Sequence, residues 1–405
     1  MVVCTGCSLL CEDIEVALKV GAIEKSKNLC RKGQGHFQAL FTERTVPCIE
    51  GIETSEEKAI AKAAEILRDT DSLLLYGWSN SSLEAQKTGI ELAKKLESKI
   101  DDTSSFCQGI LLERVLKGTL PSCALDDVRN FADVSVFWGS DPSNSHPRHL
   151  SRFSYYPRGS KRQKGYDQDR NCVVIDVRKS STSKLCSNYL RIPPGSDAEL
   201  IEALLAIQDG KMPRFGEKKR IIELATILKK AEFGVIFPGL GLIYSLTNKM
   251  EIFDGFLAKL NAISNYKVIP MGGHYNTRGF NELMLNETGY INQVSFKNGM
   301  HHGPENGVIN AAKSCDVCVV VGSDPLSALP FETAHSLAKS QLIAIDPRKS
   351  LTTEAASVVI PSAMYGLEAG GTAIRMDGLK ISFEPIIESD LLSDEELLRR
   401  IIEAV

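Results

Sequence analysis

Cys4, Cys7, Cys11 and Cys30 open the chain, three of them within eight residues and the fourth followed by Arg31-Lys32-Gly33. Thiols so spaced can take the four corners of a cubic iron–sulfur cluster, one tight loop supplying three of them. Zinc is the rival ligand, although zinc sites usually draw two pairs of ligands from two knuckles. A [4Fe-4S] cluster handles single electrons, so a redox role is the first expectation.

A second chemistry repeats along the chain. Residues 132–142 end in Gly139-Ser140-Asp141-Pro142, and residues 315–325 end in Gly322-Ser323-Asp324-Pro325. Downstream, Asp176-Val177-Arg178-Lys179-Ser180 is echoed by Asp346-Pro347-Arg348-Lys349-Ser350. Upstream, residues 73–78 are echoed more weakly by 235–241, which hold Gly239 and Gly241. Glycine lets a phosphate approach the backbone, and a strand-end carboxylate can accept from a ribose or a guanine edge. One Gly-Ser-Asp-Pro would read as a turn. Two, each followed by Asp-x-Arg-Lys-Ser, read as a pair of nucleotide sites.

The elements that must position these residues are legible. The runs before each glycine are short, β-branched and almost wholly apolar, as parallel strands covered on both faces are. Helical stretches such as 56–68 and 83–96 lie between them. Alternation of this kind predicts an α/β fold of doubly wound parallel sheets, with ligands beyond the carboxyl ends of the strands. The expected domains are a cluster domain at 1–50, an α/β domain from 51–140 with 300–405, and a second from 141–300.

Composition narrows the class. The chain has 405 residues, 43% hydrophobic and 24% charged, with net charge -4. That is a globular, multi-domain composition without the basic excess of a nucleic-acid binder. No apolar run is long enough to span a bilayer. Eleven cysteines with no signal segment before Cys4 predict a reducing cytoplasm and no disulfide framework. Cys48, Cys123, Cys172, Cys186, Cys315 and Cys318 are then expected as small buried apolar residues. Cys315 and Cys318 lie in a buried strand, which argues against a ligand pair. His301 and His302 are adjacent, so they point apart, and a polar loop is the expectation. Residues 147–170 interleave basic and aromatic side chains, a pattern that can bind RNA. A loop docking on a partner or covering phosphates is preferred. Residues 390–405 read as an amphipathic helix.

The cluster motif with Lys32 after it, together with two dinucleotide half-domains, resembles the molybdopterin oxidoreductases, the dimethyl-sulfoxide-reductase superfamily. Three segments are most similar to the catalytic B subunits of formylmethanofuran dehydrogenases. They are Cys4-Thr5-Gly6-Cys7-Ser8-Leu9-Leu10-Cys11, Trp138-Gly139-Ser140-Asp141-Pro142 and Gly273-His274-Tyr275-Asn276-Thr277-Arg278-Gly279-Phe280. The resemblance implies Cys4, Cys7, Cys11 and Cys30 as ligands of a [4Fe-4S] cluster, with Lys32 between cluster and proximal pterin. It implies Cys107 as the thiolate on tungsten or molybdenum, whose other sulfurs come from two molybdopterin guanine dinucleotides. Arg278 would orient CO2 or a carboxylate through its planar fork. Ser140, Asp141, Asp176, Arg178 and Gly239 would hold one dinucleotide; Ser323, Asp324, Asp346, Arg348, Glu368 and Thr372 would hold the other.

Two departures stand out. Gln108 occupies the place after the metal-binding residue where relatives often carry histidine, and glutamine takes no proton near neutral pH. Proton handling would fall to His274. The chain also ends at Val405, without the C-terminal β-rich domain of single-chain relatives. A separate D subunit would supply that domain. The implied function is reversible reduction of CO2 to formate in archaeal methanogenesis. Electrons would come from ferredoxin-like iron–sulfur subunits. Formate would pass to an amidohydrolase-type A subunit for condensation with methanofuran, in a complex that also holds a C subunit. A stand-alone formate dehydrogenase catalytic chain and a non-catalytic electron-relay or scaffold chain without pterins are the alternatives.

Overall fold

Val134–Trp138 and Gly234–Pro238 are buried at every position, as their almost wholly apolar runs require of strands covered on both faces. The computed structural model describes residues 2–19 and 21–405. It divides into two units, Met1–Gly109 with His274–Val405, and Ile110–Gly273.

In the Ile110–Gly273 unit five strands run parallel. Their order is Tyr266–Val268, Gly234–Pro238, Val134–Trp138, Asn171–Asp176, Asn188–Arg191. Trp138 anchors the core. Its indole meets the rings of Phe253 and Phe256 edge-on, and its Nε1 donates to Asp197 Oδ1 at 2.6 Å.

In the other unit the parallel strands are Lys99–Asp102, Leu73–Gly77, Val317–Val321, Gln341–Ile345 and Val358–Ile360. Antiparallel hairpins close both edges, Val294–Ser295 with His301–His302 and Cys48–Ile49 with Ile52–Glu53. The helices Glu56–Arg68, Leu83–Lys95 and Asp394–Ala404 begin where Ser55, Ser82 and Ser393 each accept from a backbone N–H of the first turn. Each such cap contributes about 1 kcal/mol. The last helix buries Leu397, Leu398 and Ile401 in the core beside the other two, the packing its amphipathic pattern predicts.

The repeats pair differently from their order in sequence. Leu73–Gly77 bonds to Val317–Val321, and Gly234–Pro238 bonds to Val134–Trp138. The strand-Gly element of each sequence half therefore lies beside the Gly-Ser-Asp-Pro strand of the other half. Because Val134–Trp138 belongs to the five-stranded sheet, the division falls at 109/110 and 273/274, earlier than the expected 140/141 and 300/301. Residues 1–50 join the larger unit, their Cys48–Ile49 strand pairing with Val358–Ile360.

Cys172 and Cys186 correct an expectation. They form a disulfide with Cα atoms 4.9 Å apart. Adjacent parallel strands explain it: Cys172 lies in Asn171–Asp176, and Cys186 stands just before Asn188–Arg191. Cys318 is a buried strand residue as expected, whereas Cys48, Cys123 and Cys315 are half-buried.

The basic segment is partly consumed within its own unit. Arg170 donates to the carbonyls of Val128, Ala132 and Arg129, and Arg162 pairs with Glu232 at 2.8 Å. His301 and His302 form an exposed edge strand, with the His302 ring stacked on Tyr290 at 4.0 Å. Among the described residues no helix is long and apolar enough to cross a membrane.

Candidate active site

The cysteine loop closes on itself. Cys4 N–H donates to Cys11 O at 3.0 Å, and Leu10 N–H to Cys7 O at 3.1 Å, with Leu10 in the left-handed region at φ 42°. Cys4, Cys7 and Cys11 are thereby buried, while Cys30 caps the helix Arg31–Thr42 and its Sγ accepts from Gly33 N. A Cβ on Gly33 would stand 2.9 Å from Cys4 Sγ, so glycine keeps space beside that sulfur. Burial, then the charge of Cys7, pushes the Cys4 thiol well up. Burial pushes Cys7 up to about 12, with Cys11 and Cys30 adding and Lys32 opposing. Thiols buried as Cys4 and Cys7 are stay protonated unless a cation stabilises the thiolates. Among the described residues no three His, Cys, Asp or Glu side chains are grouped to hold a metal ion.

Cys107 stands at the carboxyl end of its sheet. The strand Lys99–Asp102 leads into the turn Thr103–Phe106, and Cys107 N–H donates back to Ser104 O at 2.9 Å. The thiol is half-buried, and burial pushes it up to about 11, with Asp102 adding. A Cβ on Gly109 would meet Ser104 O at 2.7 Å, so this turn needs glycine there. Gln108 is 2% exposed, and its Oε1 has no partner among the described residues.

Two carboxylates beneath this turn were not picked out in sequence. Asp101 and Asp102 are wholly buried. Asp101 accepts from Ser105 Oγ and Val308 N, each at 2.7 Å. Asp102 Oδ1 accepts from Ser104 Oγ at 2.5 Å and Asn281 Nδ2 at 3.3 Å; its Oδ2 accepts from Ser79 Oγ at 3.4 Å. Burial first, then Asp102, raises Asp101 to about 7, and burial raises Asp102 to about 6. Their one signal in sequence was a pair of acids closing a strand five residues before Cys107.

His274 lies beside this turn. Its Nδ1 is 3.4 Å from Thr103 Oγ1, which is 2.6 Å from Ser79 Oγ. The ring reaches solvent yet sits in crowded surroundings, which together with Lys32 and Arg348 hold its pKa down. Lys32 acts on Cys7, His36 and His274 alike, so the cluster loop and the His274 ring share one electrostatic neighbourhood.

Arg278 is held by the protein itself. From the helix Thr277–Thr288 its Nε donates to Glu282 Oε1 at 2.6 Å and its Nη1 to Met376 O at 3.1 Å. Two of its three nitrogens are engaged, and the free fork expected from the sequence is not presented.

Each unit carries one cradle. In the five-stranded unit Gly139 takes φ 61°, Ser140 Oγ donates to Phe237 O at 2.7 Å, and a Cβ on Gly239 would collide with Gly139 O. Asp141 Oδ1 accepts from Thr182 N and Oγ1, and Asp176 Oδ1 accepts from Arg178 N. In the larger unit Gly322 takes φ 57°, Asp324 Oδ1 accepts from Thr352 N and Oγ1, and Asp346 Oδ1 accepts from Arg348 N. Ser323 is half-buried in its turn. Burial raises Asp346 to about 7. Glu368 pairs with Arg44 at 2.8 Å and accepts from Met364 N, while Thr372 N donates to Glu84. Those two brace the cradle's surroundings. Thr182 and Thr352 were missed, although each follows its Asp-x-Arg-Lys-Ser at the same spacing. A small cavity in the larger unit is lined by Thr5, His36, Asn80, Asp346, Arg348 and Asp394.

No family model matches the chain. It is 34% identical over 427 residues to the B subunit of the tungsten-containing formylmethanofuran dehydrogenase 2 of Methanococcus maripaludis, covering 100% of this chain and 98% of that one. Its fold is similar to a chain of the formyltransferase/hydrolase complex of Methylorubrum extorquens solved with methylofuran, at TM-score 0.71 and 19% identity over 88% of this chain and 98% of that one. It is also similar to acetylene hydratase from Pelobacter acetylenicus, at TM-score 0.72 and 13% identity over 100% of this chain and 68% of that one. At those identities the two structures speak for the α/β fold alone.

Proposed function

The chain belongs to the family of formylmethanofuran dehydrogenase B subunits, and on that premise we propose that it is the catalytic tungsten or molybdenum subunit, reducing CO2 reversibly to formate. The observation that carries this reading is Cys107 at the carboxyl end of its sheet, beneath which two buried carboxylates fix the turn. Cys4, Cys7, Cys11 and Cys30 would hold a [4Fe-4S] cluster. A cubane takes one sulfur at each corner, whereas zinc gathers its ligands at one centre. Lys32 would stand between cluster and pterin.

The two cradles would each take one molybdopterin guanine dinucleotide, with Arg178 or Arg348 for phosphate and Asp176 or Asp346 for the guanine edge. When bound, the metal and its pterins supply two-electron chemistry at carbon, and the cluster supplies single-electron transfer. The protein's work is to fix Cys107, exclude bulk water from Asp101 and Asp102, and present His274 for proton movement.

Partners follow from the family: an amidohydrolase-type A subunit, a C subunit, a D subunit with a further pterin-binding domain, and ferredoxin-like subunits. A scaffold role without pterins is the second reading. Gln108 favours it. Retention of Cys107 and both cradles favours the redox reading.

Elemental analysis of the anaerobically purified complex tests this. Tungsten or molybdenum should accompany iron, and Cys107→Ala should lose CO2 reduction while keeping iron. Heavy metal absent from the native complex, or CO2 reduction unchanged in Cys107→Ala, defeats the reading.

A further inference from the structure

We propose that Cys172 and Cys186 are a thiol–disulfide latch on the nucleotide cradle of the Ile110–Gly273 unit: as a disulfide they hold closed the loop that carries Asp176, Arg178 and Thr182, and a dithiol reductant lets it open. That this cradle takes a guanine dinucleotide rests on the reading above; the latch itself rests on where the two cysteines stand.

The pair brackets the cradle loop. Cys172 stands four residues before Asp176, and Cys186 ten residues after it. The bond closes a ring over a sequence separation of 14, and Asp176, Arg178 and Thr182 all lie inside it. Thr182 is the residue through which the loop reaches the Gly-Ser-Asp turn. Its N–H and hydroxyl donate to Asp141 Oδ1, and the Ser143 N–H donates to its Oγ1. Cys186 N–H donates to Thr182 O at 3.1 Å, so the disulfide sits directly behind that contact.

The larger unit holds the equivalent loop without a covalent tie. At the same spacings from Asp346 stand Leu342 and Ala356, both buried in the core. There the loop winds into the helix Leu351–Ala355, whereas here it makes only the shorter turn Thr182–Lys184. Arg178 is exposed where Arg348 is half-buried. The tie is therefore a feature of one cradle rather than of the repeated fold, and it secures the looser loop of the two.

Access decides which sulfur is attacked. Cys172 is 0% exposed, whereas Cys186 is half-buried between the exposed Leu185 and Ser187. A thiolate of the reductant therefore takes Cys186 Sγ. The S–S bond breaks, a mixed disulfide forms at Cys186, and Cys172 leaves as a thiolate that takes a proton. The second thiol of the reductant then displaces Cys186 as its thiol and closes the reductant's own disulfide. Two electrons and two protons pass from the dithiol to the protein. Closing a ring of this size removes open conformations by at most about a hundredfold. Reduction gives them back, and only hydrogen bonds then hold the loop down. Oxidising conditions thus keep the nucleotide in place, and reducing conditions let it exchange.

Limited digestion of the holo complex with trypsin reads the latch. Arg178, Lys179 and Lys184 are exposed cleavage sites inside the ring. The complex is kept anaerobically with oxidised or with reduced dithiothreitol and digested briefly, its iron content being equal in both. An aliquot alkylated in denaturant should show Cys172 linked to Cys186 in the first buffer and both alkylated in the second. Cutting inside the ring should be about tenfold faster after reduction, and more guanine nucleotide should wash off the reduced complex than off the oxidised one. Cys186→Ser should match the reduced complex in both buffers, and Cys172→Ala serves if that variant fails to assemble. No linked peptide in the oxidised complex, equal cutting in the two buffers, or a loosened ring that releases no nucleotide from a loaded complex overturns the proposal. Redox-dependent cutting in a complex that contains no nucleotide at all defeats the functional reading and leaves the latch standing.

Discussion

Asp141 and Asp324 hold the same backbone conformation in two separate sheets, φ −126° and ψ 76° against φ −120° and ψ 75°. Each accepts from the backbone N–H and hydroxyl of one threonine, Thr182 at 3.1 and 2.5 Å, and Thr352 at 3.1 and 2.7 Å. The carboxylates thus tie the Gly-Ser-Asp turn to the loop carrying the arginine. They brace the cradle; the exposed Arg178 stands 3.5 Å from Asp141 Oδ2, and Arg348 is half-buried.

Thr352→Val removes one of those ties. The loss of a hydrogen bond to a charged acceptor should cost about 1.5–3 kcal/mol. Guanine nucleotide released on acid denaturation of the purified complex should fall, while iron content stays constant. Full nucleotide content with unchanged thermal unfolding would remove the brace from the argument.

Gly109→Ala places a methyl group 2.7 Å from Ser104 O and 3.1 Å from Asn292 Nδ2. Neither can retreat freely, because Ser104 also holds Asp102 and Asn292 Nδ2 lies 2.9 Å from Ser104 Oγ. Overpacking of this kind costs about 1–3 kcal/mol. The Cys107 turn should shift, so heavy-metal occupancy should drop in elemental analysis while the iron of the cysteine loop remains.

Much of this was legible in the residues. Apolar strands ending in Gly-Ser-Asp-Pro announced parallel sheets, because only strands covered on both faces carry such runs. The exchange of strands between halves was not legible: Leu73–Gly77 and Gly234–Pro238 have similar patterns, and register between sheets is set by tertiary pairing. Asp101 and Asp102 escaped notice because acids at a strand end usually face solvent. Their burial depends on Asn281, Asn292 and Val308, remote in sequence. Arg278 carried a motif, but its neighbours Glu282 and Met376 decide where its fork points.

The buried acids set a pH dependence with a definite sign. Asp101 and Asp102 are raised to about 7 and about 6, above the unfolded range near 4. Between those values the folded chain binds more protons than the unfolded one, so their contribution is full below pH ~4 and is lost as pH rises toward 7. His36, held down to about 3, acts oppositely, its contribution being lost as pH falls below about 6.5. Comparing Asp102→Asn with wild type isolates the carboxyl. The variant should gain on wild type by on the order of 2 kcal/mol between pH 4 and 8. Thermal unfolding at both pH values checks this, and a difference that does not move with pH would be incompatible with a protonatable buried carboxyl.

Arg278 separates two roles by one substitution. A side chain that orients substrate through a bidentate fork loses turnover when replaced by lysine, with the metal still in place. A side chain that braces structure loses stability instead. Here Nε meets Glu282 one helical turn away and Nη1 meets the Met376 carbonyl in the loop before Gly378. Gly378 itself has no room for a Cβ beside the guanidinium, which would stand 2.8 Å from Nη2. Lysine can keep one of these contacts but not both. Arg278→Lys should therefore unfold at lower temperature, at a cost of about 1–2 kcal/mol, with little change in CO2 reduction per heavy-metal atom. A collapse of that specific rate with stability intact would return Arg278 to the substrate.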